Sequence, residues 1–212
     1  MTPLTSPATR AARSLAALVT ALVALLALAS CGDGGATEEP ARISGAELDQ
    51  PYEASSVPLR TTEGEARSLS DVDNDLTLVF FGYTRCPDIC GIVMSTITSA
   101  VTQLDDDLRE RVDVVFVTTD PARDDEKTLR AYLDRYDPSF EGLTGDLDAV
   151  VESGLSVKVA VEEGDKLPSG GYEVVHSDHV VGLDAEGMGQ IVWTKDISAR
   201  QMSTDIEILL TR

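Results

Sequence analysis

Two cysteines four residues apart, Cys86 and Cys90, close the string Phe81-Gly82-Tyr83-Thr84-Arg85-Cys86-Pro87-Asp88-Ile89-Cys90. Such a pair can hold a soft metal, close a disulfide, or alternate between the two. Proline suits the first helical position. A helix beginning near Pro87 would therefore set residues spaced by four on one face and let both sulfurs reach a single atom. A helix start also favours thiolate over thiol through its partial positive charge, which Asp88 between the cysteines opposes.

A third cysteine, Cys31, ends a different pattern. Residues 1–30 carry Arg10 and Arg13 but no acidic residue, then an apolar run over 15–28, then Leu28-Ala29-Ser30 directly before Cys31. That is the layout of a signal peptide. Its end resembles the lipobox of bacterial lipoproteins, which implies cleavage before Cys31 and a lipid on that residue. The alternative is an uncleaved anchor, although the apolar run is shorter than the ~20 residues of a membrane span. Both place the rest of the chain on the extracytoplasmic face of the cell membrane, and both leave Cys86 and Cys90 as the reactive pair.

With 17 basic and 37 acidic residues, the formal charge is −20. Nucleic acid is excluded as a partner, because binding phosphates needs clustered Lys and Arg and none is visible. Runs such as Asp105-Asp106-Asp107 read as a solvated face. Three segments follow: a leader over 1–30, a tether rich in Gly, Ala, Glu, Pro and Ser over 31–55, and one domain over 56–212, large enough to bury a core without disulfide staples.

The elements that must position the cysteines alternate in type. Residues 76–83 and 112–118 are nearly continuous apolar runs, as in strands covered on both faces. Between them Cys90, Val93, Ile97, Ala100 and Leu104 recur at spacings of three and four, a helix whose stripe leaves Cys90 half-buried. Leu129, Tyr132, Leu133 and Tyr136 mark a second amphipathic helix, started by Asp124 or Asp125 and stopped before Pro138. Strands are then expected over 156–161, 174–184 and 190–194, the last two forming a hairpin around Gly187. Ser198 and Gln201 make a capping box for a closing helix with Met202, Ile206, Leu209 and Leu210 on its apolar face. This is an α/β chain with the outline of a thioredoxin-like fold: a central mixed sheet flanked by helices. Ligand sites in such sheets lie at the carboxyl ends of strands, where Cys86 and Cys90 fall.

Several strings together resemble the Sco/SenC family of copper-binding, thioredoxin-fold proteins. They are Phe81-Gly82-Tyr83-Thr84 before Cys86-Pro87-Asp88-Ile89-Cys90, Asp120-Pro121-Ala122-Arg123-Asp124, Gly142-Leu143-Thr144-Gly145 and Val175-His176-Ser177. The resemblance runs from about residue 57 to the C-terminus and marks a bacterial lipoprotein member. It implies that Cys86, Cys90 and His176 bind one copper ion. The chemistry agrees, since thiolates suit Cu(I) and an added imidazole lets the site hold Cu(II) as well. His176 and His179 are the two histidines of the chain. Three apart on one strand, they point to opposite faces, so one of them faces the cysteines. The resemblance chooses His176 and leaves His179 on the surface.

Other readings of the same residues stand beside this one. A structural disulfide suits an oxidising compartment, but so short a loop removes little unfolded-state entropy. Zinc also accepts two thiolates and an imidazole. Asp120, Arg123 and Asp124 read as the capped start of a helix with a local ion pair, and Phe81, Tyr83 and Trp193 as core or site-rim packing. Many family members carry proline directly after the second cysteine where this chain has Gly91, which lowers helix preference by about 1 kcal/mol relative to alanine.

Two functions compete. The resemblance implies a metallochaperone that delivers copper to the binuclear site of cytochrome c oxidase subunit II or another copper client, with the lipid on Cys31 holding it at the membrane. The other is a thiol-disulfide oxidoreductase that reduces the client's cysteines, with Cys86 attacking and Cys90 resolving. Three residues between the cysteines, and no proline directly before 174–176, favour the chaperone. A copper or redox sensor would use the same site.

Overall fold

Every residue of the strand over 76–82 is buried, and the sheet is built outward from it. The structure, a computed structural model, describes residues 42–166 and 172–212, with the backbone alone over 162–166 and 172–176. In chain order the elements are β1 (Ala46–Glu53), β2 (Leu59–Thr61), β3 (Ala66–Arg67), β4 (Leu76–Gly82), α1 (Ile89–Thr102), α2 (Asp106–Arg109) and β5 (Val112–Thr118). They continue with α3 (Glu126–Leu133), β6 (Glu141–Thr144), α4 (Leu147–Ser156), β7 (Val161–Lys166), β8 (Tyr172–His176), β9 (Val180–Asp184), β10 (Met188–Trp193) and α5 (Ala199–Thr211).

Eight strands form one mixed sheet in the order β1-β10-β9-β4-β5-β6-β2-β3, and β7 with β8 forms a separate pair. β4, β5 and β6 run parallel, and β9 lies antiparallel to β4 on its other side. Alternation along the strands divides the core in two. Leu78, Phe80, Val114 and Phe116 face a cluster with α1, α3 and α5, while Val79, Phe81, Val115 and Val117 face Val150 of α4 and Val157. Full burial of a side chain such as Leu78 or Phe80 contributes about 1.5–3 kcal/mol, which is why the central strands read as unbroken apolar runs.

The expected α/β fold is present, a central mixed sheet flanked by helices, and so is the β9–β10 hairpin, whose turn uses Gly187 at φ +74°. The capping box of Ser198 and Gln201 starts α5. Three expectations change. Residues 46–53, assigned to the tether, form β1 and pair with β10, so the ordered domain starts well before residue 56. Ser156 ends α4, and the strand expected over 156–161 begins only at Val161. The strand expected over 174–184 is divided into β8 and β9, which belong to different sheets. Local preference favoured extension throughout 174–184, but Val180 is held opposite Phe80 and Val161 opposite His176, and one straight strand cannot meet both partners.

Ser44 and Gly45 donate backbone N–H bonds of 2.8 Å each to the carboxylate of Asp205, fully buried in α5, which also accepts from Trp193 Nε1 at 2.8 Å. Charged acceptors make bonds of about 1.5–3 kcal/mol, so this node fixes the start of β1 against the last helix. Residues 1–41, including Cys31 and the leader, lie outside the described residues.

Candidate metal centre

β4 ends at Gly82, and the next eight residues carry both cysteines. A Cβ on Gly82 would lie 3.1 Å from Cys90 Sγ and 3.0 Å from the Phe116 ring, so glycine leaves the space the sulfur occupies. After Tyr83 the chain turns, and Cys86 N–H donates to the Tyr83 carbonyl at 3.2 Å. The helix does not start at Pro87. α1 begins at Ile89 with Cys90 its second residue, and Cys86 sits in the preceding turn. Thus the sulfurs meet because a turn folds back on the first turn of a helix, not because they share a helical face. Asp88 occupies the N-cap position without a side-chain cap bond.

The two thiols differ in environment. Cys90 is 1% exposed, within the core cluster of Tyr83, Val93, Phe116 and Tyr132, rather than half-buried as its stripe suggests. Cys86 is partly exposed at the surface, and no disulfide joins the pair. Burial pushes the Cys90 thiol well above its ordinary range, and a hydrogen bond with Cys86 adds to the shift. Tyr83 is raised to about 12, first by burial and then by charge on Cys86 and Cys90, and its phenol is hydrogen-bonded to Cys86. Tyr132 is raised by burial and by its bond from Tyr136, whose hydroxyl lies 3.4 Å away. Its ring packs 5.3 Å from Phe116 and 5.2 Å from Tyr136. An aromatic wall therefore keeps water from Cys90 while Cys86 faces out.

An alkylation experiment follows from this asymmetry. In the reduced protein near neutral pH, iodoacetamide with peptide mapping should mark Cys86 at least about tenfold faster than Cys90, because the thiolate is the reactive form. Because the Cys90 shift is upward, its thiolate fraction stays low even near pH 8.5, where an ordinary thiol is half ionised. Equal labelling rates in that window would contradict the buried assignment.

The cysteine turn is anchored from a distance. Asp124, fully buried, accepts from Thr84 N at 2.8 Å, Thr84 Oγ1 at 2.6 Å and Thr118 Oγ1 at 2.8 Å. Of the two candidates for the helix start, Asp125 takes the role, its side chain accepting from Thr128 N at 2.8 Å. Asp120 and Arg123 do form a local ion pair, and the Asp120 carboxylate is fully buried. Of the three aromatics read as packing, Tyr83 lines the site, Phe81 belongs to the opposite core, and Trp193 is held by Asp205. Sequence reasoning missed Asp124 as an anchor and Phe116, Tyr132 and Tyr136 as the wall. The available signal was the doubled aspartate before α3: one carboxylate caps the helix, and the other is left for a different task.

Among the described residues, no group of three His, Cys, Asp or Glu side chains is assembled as a metal cage. The structure brings Cys86 and Cys90 together. His176 ends β8 opposite Val161, and its side chain lies outside the described residues. His179 belongs to neither β8 nor β9. It is half-buried, not a surface residue, and burial lowers its pKa while the charge of Asp178 and a hydrogen bond to the Val157 backbone oppose the shift.

With that geometry established, the chain can be compared with known proteins. A family model described as SCO1/SenC matches residues 45–211. The human protein SCO2 homolog, mitochondrial, is 32% identical over 144 residues, covering 68% of this chain and 54% of its own length. This chain thus spans about half of that relative. The solution structure of apo Sco1 from Thermus thermophilus superimposes with a TM-score of 0.72 at 29% identity, covering 80% of this chain and 98% of that one. ScoI of Bradyrhizobium japonicum, solved with copper bound, gives 0.63 at 25% identity over 78% of this chain and 98% of that one.

Proposed function

This chain belongs to the SCO1/SenC family, and from that premise we propose that it is a copper metallochaperone. It holds one copper ion through Cys86, Cys90 and His176 and passes it to the binuclear copper site of cytochrome c oxidase subunit II. The observation that carries this reading is the hydrogen-bonded thiol pair at the carboxyl end of β4, one sulfur buried and the other facing out. The donors fit the metal. Sulfur is soft and suits Cu(I), and imidazole extends the site to Cu(II). Three residues separate His176 from Val180, which pairs with Phe80 two residues before the end of β4, so the backbone keeps His176 within roughly 14 Å of Val180.

Transfer uses the asymmetry of the pair. Binding displaces the thiol protons, and release returns them, so affinity falls as pH falls. A ligand of the client approaches on the exposed side at Cys86, while Cys90, behind its aromatic wall, is the last sulfur to let go.

Anchoring through a lipid on Cys31, on the extracytoplasmic face, belongs to the same reading. Ala46 pairs with Val192, Trp193 with Val180 and Val180 with Phe80, so the chain enters the sheet at the end that carries the cysteines. A lipid upstream of β1 would hold that end toward the membrane and a membrane-bound client. Among the described residues, no helix is long and apolar enough to cross a membrane.

A second reading, the thiol-disulfide oxidoreductase, is favoured by one observation: a partly exposed attacking thiol beside a buried resolving thiol is the arrangement exchange requires. An anaerobic copper titration separates the two, followed by absorption and paramagnetic resonance on the reduced protein and on His176→Ala. One tight copper per chain with sulfur-to-copper charge transfer, lost in the variant, is expected. Weak copper binding with a readily reduced Cys86–Cys90 disulfide indifferent to His176 would make the protein an exchanger.

A further inference from the structure

The cysteine turn borders an open groove of about 520 Å³ lined by Thr84, Lys127, Thr128, Ala131, Tyr132 and Arg135. Five of the six belong to one face of α3 and its continuation, at spacings of one, four, five and eight residues, and the sixth is two residues from Cys86. Tyr132 forms the boundary between the groove and the wall around Cys90. The groove is therefore continuous with the metal centre. Lys127, Ala131 and Arg135 are exposed, and the small Ala131 between the two cations leaves the surface concave.

Its charge is opposite to that of the molecule. The chain carries −20, yet no carboxylate lines this groove. Neighbouring arginines are engaged: Arg60 with Glu126, Arg123 with Asp120, Arg130 with Asp134. Lys127 and Arg135 form no salt bridge among the described residues; Lys127 lies close enough to exposed Asp125 to lower its pKa, and Arg135 stacks on the Tyr132 ring at 4.7 Å and donates Nε–H to the Tyr132 carbonyl at 3.3 Å. Two cations kept available beside a metal site, on an otherwise acidic protein, suit an anionic partner.

We infer that the face of α3 formed by Lys127, Ala131 and Arg135 is the docking surface for an acidic segment of the protein that receives copper from Cys86 and Cys90. This rests on the copper reading above. A protein segment is favoured over an anionic lipid surface because a broad anionic surface that met the two cations would also meet repulsion from the remaining acidic exterior. A narrow acidic segment meets only the groove. Docked there, it lies against Thr84 and Tyr132, and its own copper ligands are brought to the exposed side of Cys86. Steering by such a patch raises encounter rates by about 10- to 1,000-fold and fades with salt.

The test uses the full chain in neutral detergent, wild type and Lys127→Glu/Arg135→Glu, with the soluble copper domain of subunit II as the probe. Calorimetric titration of that domain into the copper-free protein should give one-to-one binding. The double variant should weaken it at least tenfold, as should raising the salt from 20 to 300 mM. Copper affinity of the variant should stay within about twofold of wild type, since neither residue touches a sulfur. Equal binding by wild type and variant overturns the docking surface. So does binding of the wild type to vesicles containing phosphatidylserine in preference to the copper domain. Docking that survives in a protein without tight copper binding would support the groove and sink the metallochaperone reading, so the two fail separately.

Discussion

Cys90→Ala is expected to abolish copper retention while the domain stays folded. Structural thiolate-rich metal sites bind with about 10–16 kcal/mol. Removing one of three ligands should then cost at least about 3 kcal/mol, more than a hundredfold in affinity. The same loss is expected for Cys86→Ala, but the two variants should differ in stability. Cys90 is 1% exposed and fills a gap between Gly82, Phe116 and Tyr132, so its sulfur is part of the core as well as of the site. Deleting it leaves a small void costing about 1 kcal/mol, whereas Cys86 is only partly buried and its removal should cost less. Copper titration paired with urea unfolding checks both. Tight copper binding in Cys90→Ala would remove this residue from the ligand set.

Asp124→Ala should damage both the fold and the site, although Asp124 reaches no metal. Its carboxylate is the shared acceptor for the backbone and hydroxyl of Thr84 and for the hydroxyl of Thr118. Alanine would strand three donors, and each buried unsatisfied donor costs about 1–3 kcal/mol; because the two on part-buried Thr84 can partly rehydrate, a total loss of about 3–5 kcal/mol is expected. The turn between Gly82 and Cys86 would lose its tie to β5, and copper affinity should fall about 10- to 100-fold, as when the groups that orient metal ligands are removed. Thr84→Val gives a milder check that keeps the protein folded, since it deletes one bond and leaves the backbone bond to Asp124. A copper affinity unchanged in Thr84→Val, together with wild-type stability in Asp124→Ala, would show that the anchor has no role.

Much of the scaffold was legible in the chain because its cause is local. β4 and β5 announce themselves as unbroken apolar runs, since both faces of the central strands are covered. The stripe of Cys90, Val93 and Ile97 marks α1, and the pairing of Ser198 with Gln201 marks α5, because these features involve residues three or four apart. The cysteine pair and its place at a strand's carboxyl end needed nothing beyond spacing. Elements whose identity depends on distant partners were misread. β1 carries no apolar alternation, as six of its eight residues are exposed, and it is a strand because β10 supplies its hydrogen bonds and Asp205 fixes its start. Residues 174–184 look like one strand, yet two sheets claim its halves.

The candidate site divides in the same way. Sequence by itself determined which atoms are available: two sulfurs spaced by four, a glycine before them, a histidine in the segment that returns to the same strand end. Tertiary structure decided how they differ. It buried Cys90 and left Cys86 partly exposed, walled the pair with Phe116, Tyr132 and Tyr136, tied the turn to Asp124 forty residues away, and left Lys127 and Arg135 uncovered beside it. The physical reason is that residue type and short spacing set local conformation and donor chemistry, which are written in order along the chain. Burial, and with it the pKa of a thiol, depends on which remote side chains pack around the sulfur, and no periodicity along the chain records that.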